Sequence, residues 1–177
     1  GMSDYVIGVK GNGMAALAGS ALLKAATGEN ATNSDIGGVE MHSVVTGSVE
    51  YLVNDDAESI VTVRQLIDQL NWNENDAQKT TLNFEEPEYP IEDLAGIVPT
   101  DYSKGYDVRE VIARLVDQSV FIELKPKYGI SMVCAQAKIE GIQCGIIANN
   151  GPIDTKGATK AAQFIQLCDQ ANVPLIF

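Results

Sequence analysis

The 177-residue sequence predicts an α/β protein, and three observations carry that reading. Apolar residues recur at helical spacing over Ala57 to Leu70 and again over Ala158 to Ala171. Two apolar runs, Ser131 to Lys138 and Ile142 to Ala148, flank Glu140-Gly141 as a hairpin would. A further apolar run, PLIF, follows the second helix, so the order strand, strand, helix, strand defines a ββα unit.

The elements follow in order. Tyr5 to Val9 reads as a short strand that runs into Gly11-x-Gly13-x-x-Ala16. SALLKAAT (20–27) reads as a short helix closed by Gly28, and Asp35 to Gly38 as a turn. Met41 to Tyr51 is expected to form one or two strands broken at Gly47. In the helix over 57–70, Ile60, Val63, Ile67 and Leu70 share a face, with Asp55 and Asp56 placed to cap its start. From Asn71 to Asp93 the periodicity lapses; Pro87, Pro90 and five acids from Glu85 onward mark a solvated linker. Val108 to Val116 is an amphipathic helix with Val108, Val111, Ile112 and Leu115 on one face, and Asp107 with Glu110 as its capping box. In the helix over 158–171, Ala158, Ala161, Ala162, Ile165 and Cys168 form the apolar stripe.

Composition bounds the function. A chain that is 45% hydrophobic suits one globular domain or two small ones. With 24 acids against 12 bases the net charge is −12, which repels phosphate backbones and argues against a nucleic-acid partner. Solubility accounts for that acidity more simply than a saline habitat does. Cys134, Cys144 and Cys168 lack the C-x-x-C spacing and lie within apolar patterns, so they read as small core residues in a reducing compartment. His42 is the single histidine, too few partners for a metal site. No apolar run approaches the roughly 20 residues of a membrane span. No secretory signal pattern opens the chain, and Gly1-Met2 reads as a cloning remnant before a start methionine.

Two motifs bear on chemistry. The strand, Gly11-x-Gly13 turn and helix are the setting in which a dinucleotide pyrophosphate sits on a helix N-terminus. Yet no βαβ unit emerges, and the acid about 20 residues on falls in a polar turn, so the pattern reads as a local turn. In NNGPIDTKGATKAAQF (149–164), a loop shaped by Gly151 and Pro152 precedes a helix whose first turn is small and free of acids. Its free N–H groups either bind an oxyanion or are capped by Asp154 or Thr155, and the ordinary cap is favoured.

Longer runs carry a resemblance. LAGSALLKAATGE (17–29) is similar to the "LAGPPLVKAATGE" of the carboxyltransferase β subunits of biotin-dependent acyl-CoA carboxylases. GGVEMHSVVTGSVEY (37–51), DLAGIVPTDYSKGYDVREVIARLVDQSVFIELKPKYG (93–129) and IIANNGPIDTKGATKAAQFIQLCDQANVPLIF (146–177) resemble successive segments of the same family, in the same order. ANNG followed by A-x-K-x-A-x-F-I-Q-L-C resembles its methylcrotonyl-CoA and geranyl-CoA branch.

The resemblance implies a crotonase-like ββα spiral, here partial and drawn from two adjacent domains. Residues 1–70 would end the first domain, 71–93 link, and 94–177 open the second. It implies transfer of a carboxyl group from carboxybiotin, carried on a partner biotin carrier, to an acyl-CoA whose enolate is held by backbone N–H groups. In the picture the resemblance implies, the biotin ureido nitrogen would remove the proton, so no side-chain base would be required. Asn149, Asn150 and Gly151 would stand near the biotin side of the pocket and Gly19 beside the acyl-CoA side, with the catalytic groups unassigned. A biotin carboxylase partner, a homo-oligomer, and a bacterial cytoplasm or mitochondrial matrix are implied as well.

Departures from the family pattern matter. Ser20-Ala21 stand where the family has Pro-Pro. The family's two glycine-rich oxyanion holes match no segment of these 177 residues, so the isolated chain is expected to be a fragment without activity. The rival reading is a non-catalytic assembly module of the same descent, and a nucleotide-binding oxidoreductase stands a distant third.

Overall fold

A computed structural model describes residues 3–70, 84–101 and 103–177, which divide into two compact units, Gly1–Arg64 and Gln65–Phe177. The part of the expected linker over 71–83 lies outside the described residues.

The first unit is built on a parallel pair. Strand β1 (Ile7–Val9) is joined through helices α1 (Ser20–Thr27), α2 (Asn33–Gly37) and α3 (Val39–Met41) and a π-helical turn (His42–Thr46) to β2 (Tyr51–Val53). Ile7 pairs with Tyr51 and Val9 with Val53. Helix α1 ends where the sequence predicts, at Gly28 in the left-handed region, whose N–H donates to Lys24 O. The turn expected at 35–38 is instead the end of α2, started by a reciprocal capping box between Thr32 and Asp35. The strands expected over 41–51 are corrected more sharply. His42–Thr46 winds as a π turn, and only from Tyr51 does the chain extend. The His42 ring, bonded to Ala15 O at 2.7 Å and Thr46 Oγ1 at 3.0 Å, holds that turn in spite of its β-branched residues.

The glycine pattern resolves in the same place. A Cβ on Gly13 would sit 2.6 Å from Val39 Cγ1, so the bare backbone there admits a core valine. Val39, Val49, Tyr51 and Val53 are the buried apolar residues of this unit. Glu50 is buried with them, and its Oε2 accepts from Val6 N at 2.8 Å.

Helix α4 spans Asp56–Gln69. Asp55 caps it by accepting from Glu58 N at 2.8 Å, as the sequence suggests. The expected stripe is not what it buries: Ile60, Val63 and Ile67 are exposed, whereas Leu66 and Gln69 are buried.

In the second unit, residues 84–93 are fastened along residues 114–119. Gln118 N donates to Glu85 O, Glu88 N donates to Ser119 Oγ at 2.9 Å, and the Arg114 guanidinium lies 5.1 Å from the Tyr89 ring centre. One of the five acids, Asp93, is paired with Arg114 at 3.3 Å. After a 3₁₀ turn (Ile91–Asp93) come α5 (Leu94–Ile97), α6 (Val108–Ile112), a second 3₁₀ turn (Asp117–Ser119), β3 (Phe121–Glu123), β4 (Met132–Ile139), β5 (Ile142–Asn149), α7 (Thr155–Gln170) and β6 (Leu175–Ile176). The sheet order is β3-β4-β5-β6, antiparallel except for the β5–β6 pair. This is the expected ββα unit.

The β4–β5 hairpin turns on Glu140 (φ 51°) and Gly141 (φ 74°), the two positive values of a type I′ turn. Asp117 anchors it, accepting from both N–H groups at 2.8 and 2.7 Å. Alternate residues of each strand face opposite layers. Val133, Ala135, Ala137, Cys144 and Ile146 pack against Val108, Ile112 and Val116. The helix expected over 108–116 ends at Ile112, and beyond it Leu115 is exposed while Val116 takes its place in the core. The capping box there is half made: Asp107 accepts from Arg109 N, but Glu110 turns to Arg114. On the other face α7 lays Gly157, Lys160, Phe164 and Cys168 against the sheet, a stripe that keeps only Cys168 of the predicted one. Gly145 allows the close approach: a Cβ there would meet Cys168 Sγ at 2.7 Å and Phe164 Cε1 at 3.0 Å.

Among the described residues, no helix is long and apolar enough to cross a membrane, and no group of three His, Cys, Asp or Glu side chains is placed to hold a metal ion.

Candidate functional site

The residues singled out in the sequence fall in both units. Gly19, in the first, is the N-cap of α1, with extended backbone (φ −81°, ψ 172°). Its carbonyl accepts from Leu22 N and Leu23 N, and the next N–H, of Ser20, donates to Asn33 Oδ1 at 2.9 Å. Next to it opens an apolar hollow of about 540 Å³ lined by Ala15 to Ala18, Leu22, Leu23, Ala26, Ile36 and His42. A carbonyl only accepts, so the bond to Ala15 O makes His42 Nε2 the donor. His42 Nδ1 faces the Thr46 and Ser48 hydroxyls at 3.0 and 3.1 Å, so both ring nitrogens are engaged.

Asn149 ends β5 in the second unit, and Asn150 and Gly151 begin the loop that follows. Asn149 is exposed on the rim of a hollow of about 440 Å³ whose apolar lining includes Val108, Met132, Ile147, Ile153, Ile165 and Phe177. Asn150 is half-buried: its N–H donates to Ser131 O at 2.7 Å and its Oδ1 accepts from Val108 N at 2.9 Å. Gly151 is exposed at φ 149°, a conformation L side chains rarely adopt, with nothing near the position of an added Cβ.

The start of α7 is not an open anion site. Asp154 Oδ1 accepts from Gly157 N and Ser131 Oγ, each at 2.7 Å. Those bonds, the one from Ser131 foremost, hold the Asp154 carboxyl below the usual carboxylate range. Of the two readings the sequence left open, the capped helix is the one present.

Sequence reasoning missed a buried ionic cluster behind this loop. Lys160, with 0% of its side chain exposed, donates to Glu123 Oε1 and to Lys125 O, both at 3.1 Å. Arg109 grips the same carboxylate with Nε at 2.6 Å from Oε2 and Nη2 at 3.0 Å from Oε1. Its hydrogen bond to Glu123 raises the Arg109 pKa still further. Lys160 stands between Ala158 and Ala161 of the predicted stripe and was not singled out; the signal lay in its spacing with Gly157, Phe164 and Cys168.

The cysteines are free and buried. Burial pushes Cys134 up to about 12 and Cys168 up to about 11, and raises Cys144 as well. Burial thus disfavours the thiolate, the form a nucleophilic role would need.

Against solved structures, the chain superimposes on transcarboxylase 12S, crystallised with methylmalonyl-coenzyme A and methylmalonic acid bound. The TM-score is 0.88 at 33% identity, over 98% of this chain and 34% of that one. It also matches the geranyl-CoA carboxylase β subunit of P. aeruginosa at 46% identity, with a TM-score of 0.53 over 100% of this chain and 33% of that one. The architecture is therefore that of the crotonase-like carboxyltransferases. Residues 1–177 match the model of the carboxyl transferase domain, and the chain belongs to that family. The mitochondrial methylcrotonoyl-CoA carboxylase β chain of Dictyostelium discoideum is 44% identical over 99% of this chain and 30% of its own length. The chain thus spans about a third of the relatives it matches.

Proposed function

We propose that these residues serve a carboxyltransferase that moves a carboxyl group from carboxybiotin, borne on a partner carrier protein, to a branched, unsaturated acyl-CoA. The observation that carries this reading is the gradient of identity. The chain is 44–46% identical to a methylcrotonoyl-CoA and a geranyl-CoA carboxylase β subunit, against 33% to a transcarboxylase crystallised with methylmalonyl-CoA. In this reading residues 1–70 close a first crotonase-like domain, 71–93 link, and 94–177 open a second. Asn149, Asn150 and Gly151 lie towards carboxybiotin, and Gly19 towards the thioester.

The partners are a biotin carboxylase with its carrier domain and further copies of the chain, in a bacterial cytoplasm or a mitochondrial matrix. The exposed Met14, Leu17 and Leu22 favour assembly with other protein surfaces, and the hexamer of transcarboxylase 12S is a precedent. The same apolar exposure supports the second reading, a non-catalytic assembly module.

The test is carboxylation in the presence of a biotin carboxylase partner, ATP and bicarbonate. The assembled protein is expected to prefer methylcrotonyl-CoA or geranyl-CoA over propionyl-CoA in kcat/KM by about tenfold or more, the scale one hydrophobic pocket delivers. The 177 residues alone are expected to turn over neither. A preference for propionyl-CoA would overturn the substrate assignment, and no carboxylation by the assembled protein would leave the assembly module.

A further inference from the structure

We propose that Asn150 is a positioning residue, whose side chain clamps the loop after β5 to helix α6 and does not itself contact the cofactor. The proposal rests on the carboxyltransferase reading, in which that loop faces carboxybiotin.

Asn150 is fixed at two atoms that lead to different elements. Its N–H donates to the carbonyl of Ser131, at the start of β4, at 2.7 Å, and its Oδ1 accepts from the N–H of Val108, at the start of α6, at 2.9 Å. Ser131 continues the circuit, since its hydroxyl donates at 2.7 Å to Asp154, the cap of α7. On the far side, Arg109 of α6 and Lys160 of α7 meet on one carboxylate, Glu123. Every element around the loop is thus tied to the next by a polar contact, and Asn150 is the link that joins the loop to α6.

The Val108 N–H gives the link its value. Val108 is 8% exposed, and as the first residue of α6 its N–H has no partner within the helix. The Asn150 oxygen satisfies a donor that water reaches poorly, and leaving such a donor unmet is costly. The loop is therefore held by a bond the helix itself needs. Gly151 follows at φ 149° with open space around it, so the clamp precedes the point at which the backbone turns out to solvent.

This predicts a difference between two substitutions. Asn150→Ala removes the acceptor; Asn150→Asp keeps an oxygen facing Val108 N–H while removing the amide donor. Amide hydrogen exchange reads the clamp directly. Exchange at Val108 is expected to quicken about 10-fold or more in Asn150→Ala, and to stay within about threefold of the parent in Asn150→Asp.

In the protein assembled with its biotin carboxylase partner, Asn150→Ala is expected to lower kcat by about 10- to 100-fold with the acyl-CoA KM little changed. That is the scale of a small misplacement of reacting groups. Asn150→Asp is expected to recover most of the rate. If Asn150→Asp is as slow as Asn150→Ala while exchange at Val108 stays slow, the amide donor acts directly and the proposal fails. Unchanged exchange at Val108 in Asn150→Ala would refute the clamp outright. That arm does not depend on turnover, so an assembled protein that carboxylates nothing would sink the functional reading alone.

Discussion

Glu123→Gln exposes the central energetic feature of the second unit. The Glu123 carboxylate takes Arg109 Nε at 2.6 Å, Arg109 Nη2 at 3.0 Å and Lys160 Nζ at 3.1 Å. Glutamine has the same shape but no charge, and its nitrogen cannot accept. Both cations lose their counter-charge there, even where the amide oxygen still accepts from them. Arg109 still has Asp107 at 3.1 Å and is 29% exposed, so water supports it. Lys160 is fully buried, and besides Glu123 it donates to the carbonyl of Lys125, which carries no charge. Leaving one charge of a buried pair without the other costs about 3–5 kcal/mol.

The reverse change is milder. Lys160→Met takes a charge out of the interior and leaves Glu123 gripped by Arg109, so we predict a loss of about 0–2 kcal/mol. The double variant Glu123→Gln/Lys160→Met then lacks the stranded cation and should be more stable than Glu123→Gln alone, with a coupling of about 2 kcal/mol. Urea denaturation followed by far-ultraviolet circular dichroism reads all four proteins. A cost below about 1 kcal/mol for Glu123→Gln, or a double variant no better than it, would refute the assignment of Glu123 as the counter-charge of Lys160.

Two further predictions concern the same interior. Gly145→Ala is expected to cost about 1–3 kcal/mol by overpacking, because the new methyl group meets Cys168, Leu175 and Phe164 at 2.7, 2.8 and 3.0 Å; an unchanged urea midpoint would show that α7 and β6 yield. The thiols should resist iodoacetamide in the native protein at pH 8 and all react once urea unfolds it. With Cys134 raised from its ordinary 9.0 to about 12, its contribution is complete below pH 9 and is lost as pH rises through 12, so stability should fall on the alkaline side; a flat profile between pH 9 and 11 would argue against that burial.

The elements legible in the sequence were those whose signals are local. Gly28 stops α1, Asp55 starts α4, and Glu140-Gly141 turns the hairpin, each through backbone chemistry that needs no distant partner. What escaped depended on distant groups. Val44 and Val45 favour a strand, but the His42 ring is held by Ala15, 27 residues away, and the segment winds into a π turn. Lys160 looks solvated until Glu123, 37 residues earlier, is brought beneath it, and its burial rotates the apolar face of α7 towards Phe164. The candidate site divided the same way. The loop at 149–151 was singled out from its residues and their family resemblance, whereas the bond from Val108 N to Asn150 Oδ1 joins positions 42 residues apart and left no local signal.

The two sheets differ in how far the chain must travel to close them. The hairpin closes across Glu140 and Gly141, whereas β1 meets β2 after an excursion in which Val6 and Glu50, bonded at its mouth, are 44 residues apart. Loop-closure entropy makes the longer ring costlier by about 2–3 kcal/mol. Only three residue pairs reward that closure, against eight in the hairpin. The hairpin is thus the natural nucleus of folding, while the β1–β2 pair forms only once residues 51–53 have joined the chain.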